Sequence, residues 1–370
     1  MNFLKIKLPF KAKKKILALG AQTKNTVCFI EKEFAYLSKI HSDLSQPQDF
    51  LNFKKTVNFL LKKNPKIIAH DLHLEYTSTK YALGLSKEKY SLKAIQHHHA
   101  HIVSAMIDNG LKDQKVLGVA FDGTGLGEDN TLWGSEFLIC DYKNFKRKAF
   151  LKPIPLLGAE KAILEPWRLV VAWLYSLYKD NFLNLKIDFL KKINKRKWQI
   201  LKKMYLAQFN SPLSSSMGRF FDAIASLVLK KYKINFEAEL PIALEKIACS
   251  SRPINKGYPF KIIKNKKNYF ILSQFIFKKT ILDLNNQVPK EEIAYKFHFT
   301  IALMVKKVCQ LLRKEYNLNK VVLSGGVFQN KLLVNLTLDL LYKEGFKVFT
   351  HKNLSSSDMG ISLGQAVIAH

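Results

Sequence analysis

Gln96-His97-His98-His99-Ala100-His101 gathers four of the chain's ten histidines into five positions, where a predicted strand gives way to a predicted helix. Residues four apart share one helical face, so His97 and His101 are spaced to grip a single metal ion. Neutral imidazole nitrogens are ligands that suit zinc or iron. Asp122 and Asp358, near the ends of two other predicted strands, would add hard oxygen donors. The competing reading is a solvated histidine run with no ligand, and the cluster's place at a strand end argues against it. His98 and His99 point elsewhere on the helix, behind the ligands or towards substrate.

Two glycine turns come next. Asp122-Gly123-Thr124-Gly125 follows an apolar strand, and its glycines would let backbone N–H groups approach an anion. Ser324-Gly325-Gly326-Val327-Phe328-Gln329-Asn330 opens a helix, whose N-terminus favours phosphate. One such turn in each half suggests a nucleotide held between lobes. Six arginines stand against fifty-four lysines, so an arginine marks a place that needs a planar guanidinium. Arg168 and Arg219 sit in motif-like text, although ion pairs with Glu165 and Asp222 would also account for them. His298, between Phe297 and Phe299, reads as a core or supporting histidine.

The elements that must position these residues alternate. Ile16–Gly20 turns at Thr23-Lys24-Asn25 and returns through Thr26–Ile30, a hairpin signal. A helix over Gln48–Lys63 leads to a buried strand at Ile67–Asp71, and Leu92–Gln96 feeds the histidine helix, which ends at Asn109-Gly110. Val116–Asp122 restarts the pattern, with Trp133–Cys140 as hairpin partner, and Val321–Leu323 and Phe346–Thr350 read as further strands. Alternation of this kind predicts an α/β fold with a mostly parallel sheet and ligands at strand C-terminal ends. The predicted division is a basic lead-in at 1–15, a first lobe at 16–115 closed by the C-terminal helix at 358–370, and a second lobe at 116–357. A helical insertion at about 165–250 belongs to the second lobe.

The net charge of +31 either solvates the surface or attracts a phosphate polymer such as tRNA. The four cysteines lack any Cys-x-x-Cys pair, which argues against a disulfide framework or a zinc ribbon. No apolar run reaches the roughly 18 residues of a membrane span, and a cytoplasmic protein with no membrane partner is the expectation.

Taken in order, these segments resemble the carboxy-terminal carbamoyltransferase region of the hydrogenase maturation family HypF. The resemblance runs through Leu19–Asn25, Ala69–His73, Gln96–His101, Phe121–Gly125, Trp133–Phe137, Glu165–Arg168, Met217–Asp222, Ser324–Asn330 and Asp358–Gln365. It is similar, more distantly, to tRNA threonylcarbamoyl transferases and antibiotic O-carbamoyltransferases. The resemblance implies a two-lobed actin-like (ribonuclease H-like, ASKHA) fold with a ligand cleft between lobes. It puts His97, His101, Asp122 and Asp358 at a divalent metal, iron or zinc. Asp222, Glu237, Gly325, Gly326 and Asn330 fall around a nucleotide (carbamoyl adenylate, or ATP or AMP), with Gly123, Thr124, Gly125 and Arg219 beside them.

The implied reaction passes carbamoyl from carbamoyl adenylate to the C-terminal cysteine of a HypE-like acceptor. The alternative is transfer to a small-molecule hydroxyl or, as threonylcarbamoyl, to tRNA. A non-catalytic nucleotide-binding module is disfavoured by the intact quartet, and a sugar kinase by the histidine pair. Counterparts of the acylphosphatase, zinc-finger and adenylate-forming modules of the family are not found, so a separate carbamoyl-adenylate-forming protein is the expected supplier. Three segments depart from the family pattern. Ser-x-His-Ile-Gly-Asp reads Ser38–Asp43, Leu-Pro-Gly-Gly-Asp reads Leu156-Leu157-Gly158-Ala159-Glu160, and Tyr-Glu-Gly reads Phe236-Glu237-Ala238. Alanine at 159 and 238 is expected to restrict backbone approach to a ligand.

Overall fold

Short apolar runs bounded by turn residues become strands here, and longer amphipathic stretches become helices. The computed structural model describes residues 2–85 and 89–370. The N-terminal part contains strands β1 (Leu4–Lys7), β2 (Ile16–Ala18), β3 (Thr23–Asn25), β4 (Cys28–Glu31), β5 (Phe34–Leu37), β6 (His41–Asp43), β7 (Ile67–Asp71) and β8 (Ser91–Ile95). Its helices are α1 (Pro47–Leu61), α2 (Thr77–Leu83) and the histidine helix α3 (His97–Asp108). Six of the strands form one sheet in the order β1-β5-β4-β2-β7-β8, and β3 pairs with β6 beside it.

The second sheet draws on β9 (Val116–Leu126), β10 (Leu132–Cys140), β11 (Phe145–Leu151), β12 (Ile154–Pro155), β13 (Leu213–Ser214), β14 (Lys261–Asn265), β15 (Asn268–Leu272), β16 (Lys320–Ser324) and β17 (Lys347–Phe349). Its main path is β14-β15-β11-β10-β9-β16-β17. Around it lie α4 (Lys161–Leu164), α5 (Trp167–Tyr178), α6 (Lys195–Ala207), α7 (Met217–Leu229), α8 (Glu239–Ala248), α9 (Gln274–Asn285), α10 (Lys290–Tyr316) and α11 (Lys331–Lys343). The last helix, α12 (Ile361–Ile368), packs on α3 and on β2, β4 and β7.

The mostly parallel sheet expected from alternation needs correction. β2-β7-β8 and β9-β16-β17 are parallel, whereas β1-β5-β4-β2 and β11-β10-β9 are antiparallel. Tight hairpins enforce antiparallel pairing, and only helical crossovers of a dozen or more residues return a strand parallel. The basic lead-in contains β1, paired with β5 from Leu4↔Leu37 to Lys7↔Phe34. The expected turn at Thr23-Lys24-Asn25 is itself a strand, Thr23 opposite Asp43 and Asn25 opposite His41. The hairpin β14–β15 gave no sequence signal.

Every residue of α3 from His97 to Ile107 is buried. A helix buried all round lies between layers, and this one does. Ile102 and Met106 share a core with Leu363 of α12, with Ile16 and Ala69 of the first sheet and with Ala120 and Val322 of the second. Gly364 has its Cα so close to α3 that an added Cβ would lie 2.0 Å from the carbonyl oxygen of Ala100. That backbone-to-backbone fit brings the turn carrying Asp358 up to the histidines.

Candidate active site: a two-histidine, two-aspartate cluster

Four side chains from three places in the chain converge at one point. His97 and His101 come from the first two turns of α3, Asp122 from within β9, and Asp358 from the turn before α12. One donor atom from each lies within 4.8 Å of all the others. His97 Nε2 is 3.4 Å from Asp122 Oδ2 and 3.8 Å from Asp358 Oδ1, and His101 Nε2 is 3.8 and 3.5 Å from the same two oxygens.

These residues fit a metal on chemical grounds. Nε2 of both histidines is buried without a hydrogen-bond partner among the described residues, an arrangement costly for a polar atom unless something else satisfies it. Four ligands ~2.1 Å from one ion in a tetrahedron stand about 3.4 Å apart, near the spacings seen. Burial alone would depress His97, but Asp71, Asp122 and Asp358 together hold it well above the ordinary histidine range. Burial would likewise raise Asp122, and His101 and His97 pull it well below the usual carboxylate range. The pocket's field favours positive charge at its centre.

His97, Asp122 and the turn carrying Asp358 are each held from behind. Asp71, at the end of β7, places Oδ2 2.8 Å from His97 Nδ1, so that nitrogen carries the proton and Nε2 is left as the lone-pair donor. Asp71 gave no separate sequence signal beyond its motif. The N–H of Gly326 donates to Asp122 Oδ1 at 3.0 Å, leaving Oδ2 for the histidines. Gly325 adopts φ +102°, and an added Cβ would lie 2.2 Å from the Phe121 carbonyl oxygen, so only glycine lets this turn reach the end of β9. Gln365 Oε1 accepts from the N–H of Gly20 and Thr26 Oγ1 donates to the Met359 carbonyl, which ties the Leu19–Asn25 motif to the Asp358 turn.

The turn expected at Gly123-Thr124-Gly125 is corrected: these residues lie within β9, which runs to Leu126 and whose pairing with β10 shifts register between Trp133 and Ser135. Gly125 provides a flat seat for histidine rings, since an added Cβ would lie 2.6 Å from His98 Cε1 and 3.0 Å from His97 Cδ2. Thr124 is half-buried between the two glycines. Gly123 faces Arg219 Nη2 and Glu237 Oε1. Arg219 is buried with Nε 3.1 Å from Asp222 Oδ2, not aligned for a hydrogen bond. Its Nη2 lies 3.7 Å from the half-exposed Glu237. Arg219 Nε and Nη1 and both Asp222 oxygens have no hydrogen-bond partner among the described residues. Burial pushes Asp222 up to about 6, against the pull of Arg219.

Other expected residues have structural tasks. Asn330 caps α11 by accepting from the N–H of Leu333 at 2.8 Å, and its Nδ2 donates to His298 Nε2 at 2.9 Å. Both ends of its amide are committed to the fold. His298 donates Nδ1–H to the Ala294 carbonyl. His99 donates Nε2–H to the Asp141 carbonyl, facing away from the cluster, while His98 Nδ1 accepts from Gln96. Arg168 pairs with Glu165 at 2.7 Å. One arginine that sequence motifs passed over is Arg147, whose Nε bonds the fully buried Glu136 at 2.5 Å and whose guanidinium lies over Trp133 and Phe150.

Two sheets with interleaved helices and a two-histidine, two-aspartate cluster between them define an actin-like α/β fold of the carbamoyltransferase type. The family models for the "HypF Kae1-like domain" and the "Carbamoyltransferase, Kae1-like Domain, second subdomain" match residues 11–108 and 118–365. The chain belongs to the HypF carbamoyltransferase family. It is 34% identical to carbamoyltransferase HypF of Synechocystis over 97% of its own length and 48% of that protein's. A HypF homolog of Cupriavidus necator is 30% identical over 96% of this chain and 91% of its own. The crystal structure of full-length HypF in the phosphate- and nucleotide-bound form superimposes with a TM-score of 0.91 and 36% identity, covering 99% of this chain and 56% of that one. The chain thus spans about half the length of most of the curated relatives it matches.

Proposed function

We propose that this protein transfers a carbamoyl group from carbamoyl adenylate to the C-terminal cysteine thiolate of a HypE-like acceptor in hydrogenase maturation. The observation that carries the reading is the convergence of His97, His101, Asp122 and Asp358 on one point in a member of the HypF family. Held by these four side chains, a divalent ion, iron or zinc, would supply Lewis-acid polarisation of a carbonyl or phosphoryl oxygen.

This chain's own residues do the rest. Arg219, buried beside Gly123 with unmet N–H groups, provides a charged donor for the nucleotide's phosphate. Asp222 and Glu237 offer acceptors for sugar hydroxyls from the same wall. In the transfer, sulfur bonds to the carbamoyl carbon, the bond from that carbon to the phosphate oxygen breaks, and AMP leaves with the electron pair. The nucleophile comes from outside. Cys28, Cys140 and Cys309 are buried, and burial pushes their thiols far above the usual range, which leaves them unreactive. The fourth cysteine, Cys249, is exposed at the C-terminal end of α8 and is not one of the converging site residues.

An adenylate-forming activity supplies the activated carbamoyl in this scheme, and the reaction takes place in the cytoplasm. The +31 charge favours tRNA as the second acceptor to test. Incubating the protein with carbamoyl adenylate and a HypE-like protein, followed by intact-mass spectrometry, decides the matter. One added carbamoyl group on the C-terminal cysteine is expected. An unmodified tail beside carbamoylated tRNA or small-molecule hydroxyl would overturn this assignment of the acceptor.

A further inference from the structure

His97 has a carboxylate directly behind it. His101 has one too, but at the end of a relay. His101 Nδ1 lies 3.5 Å from Ser324 Oγ, Ser324 Oγ lies 2.9 Å from His351 Nε2, and His351 Nδ1 faces Asp108 Oδ2 across 3.5 Å without being aligned for a hydrogen bond. The side chains of His351 and Asp108 are each 4% exposed, and Ser324 is fully buried. We infer that Ser324 and His351, backed by the Asp108 carboxylate, form a polar relay that positions His101 as a metal ligand and sets how tightly the quartet binds its ion.

The proton order follows from the inventory of donors and acceptors. With Nε2 of His101 turned to the cluster, its Nδ1 carries the proton and faces the Ser324 oxygen. The serine hydroxyl then donates to His351 Nε2. His351 is left with its proton on Nδ1, aimed at Asp108. This order keeps His351 neutral and turns its Nδ1 proton towards the Asp108 carboxylate, whose influence passes inward to His101. A ligating histidine whose second nitrogen meets a fixed acceptor keeps one tautomer and ring orientation and becomes a better donor.

Asp108 also anchors the loop that leads to Asp358. Its carboxylate accepts the backbone N–H groups of Lys352 at 2.7 Å, Asn353 at 3.0 Å and Leu354 at 3.1 Å. His97, His101, Ser104 and Asp108 follow the spacing of a single helical face, and Ser104 packs against Gly360 in the Asp358 turn. One face of α3 thereby carries two ligands, a spacer for the third and the clamp for the loop behind it.

The inference rests on the metal reading, and the test separates the two. Zinc affinity of the full chain is measured by competition with a chromophoric chelator. His351→Leu, which keeps bulk without polarity, and Ser324→Ala are expected to weaken zinc binding by about 10–100-fold. His351→Gln, which still presents an acceptor and a donor, is expected to recover most of the affinity. Circular dichroism should be unchanged in all three. Asp122→Ala is the control. If it abolishes binding while His351→Leu and Ser324→Ala bind like the parent, the relay is overturned and the metal site stands. Zinc binding unaffected by Asp122→Ala would overturn both.

Discussion

Gly364→Ala changes no ligand, yet it should abolish tight metal binding. The new Cβ would lie 2.0 Å from the Ala100 carbonyl oxygen, 2.6 Å from its carbon and 2.8 Å from its Cα, all backbone atoms of a helix buried between two sheets. Ordinary contact begins near 3.4 Å, so α12 and α3 must part by 3.4 minus 2.0, or ~1.4 Å, along that direction. Asp358 sits three residues before the start of α12 and His101 one residue after Ala100, so the displacement falls on the spacing between ligands. Metal–ligand distances tolerate only about 0.2 Å. Zinc affinity should fall on the order of 100-fold. Stability should change far less: overpacking costs about 1–3 kcal/mol, and alanine in place of glycine inside a helix returns about 1 kcal/mol. Chelator competition beside a thermal melt reads both quantities. Parental zinc affinity in Gly364→Ala would refute the argument that this helix contact sets the geometry.

Other outcomes follow from single contacts. Asp71→Asn keeps the shape behind His97 but removes the charge at its Nδ1, and zinc affinity should drop about 10–100-fold, measured by the same competition. Arg147→Met leaves Glu136 charged and buried without its main partner, a loss of about 3–5 kcal/mol in urea unfolding. Asp222 is raised from 3.8 to about 6 in the fold. The native state therefore binds this proton more tightly than the unfolded chain, and its contribution to stability is lost as pH rises from about 4 to 6. Asp222→Asn should remove that slope and gain up to about 3 kcal/mol at pH 7, read from denaturation curves at several pH values. Ala159 and Ala238 stand at φ +48° and +65°. Their glycine substitutions should each raise stability by about 1 kcal/mol in chemical denaturation.

Alanine at 159 and 238 reads in the sequence as a limit on backbone approach to a ligand, and in the fold both residues adopt the left-handed conformation and bear its strain. The pairing of His97 and His101 was legible because helical spacing is local, and the strand ends carrying Asp122 and Asp358 were legible from apolar runs. The turn at Gly123-Thr124-Gly125 was misread because glycine serves flatness as well as turning; histidine rings lie where a Cβ would be. Asn330 and Gly326 sit in a motif that looks like anion binding, yet one caps α11 and the other orients Asp122. The roles of Asp71, Ser324 and His351 were invisible because they exist only across contacts 26 to 223 residues apart in sequence. For Asp108 there was a signal: it extends the helical face of His97 and His101.

The most direct test of the central claim is carbamoyl transfer in a single turnover, from carbamoyl adenylate to a HypE-like acceptor. Protein loaded with iron or zinc, stripped by a chelator and then reloaded is compared with Asp122→Ala carried through the same steps. The account predicts transfer by the loaded protein, loss on stripping, recovery on reloading and none from the variant. Equal transfer from stripped protein and from Asp122→Ala would contradict it.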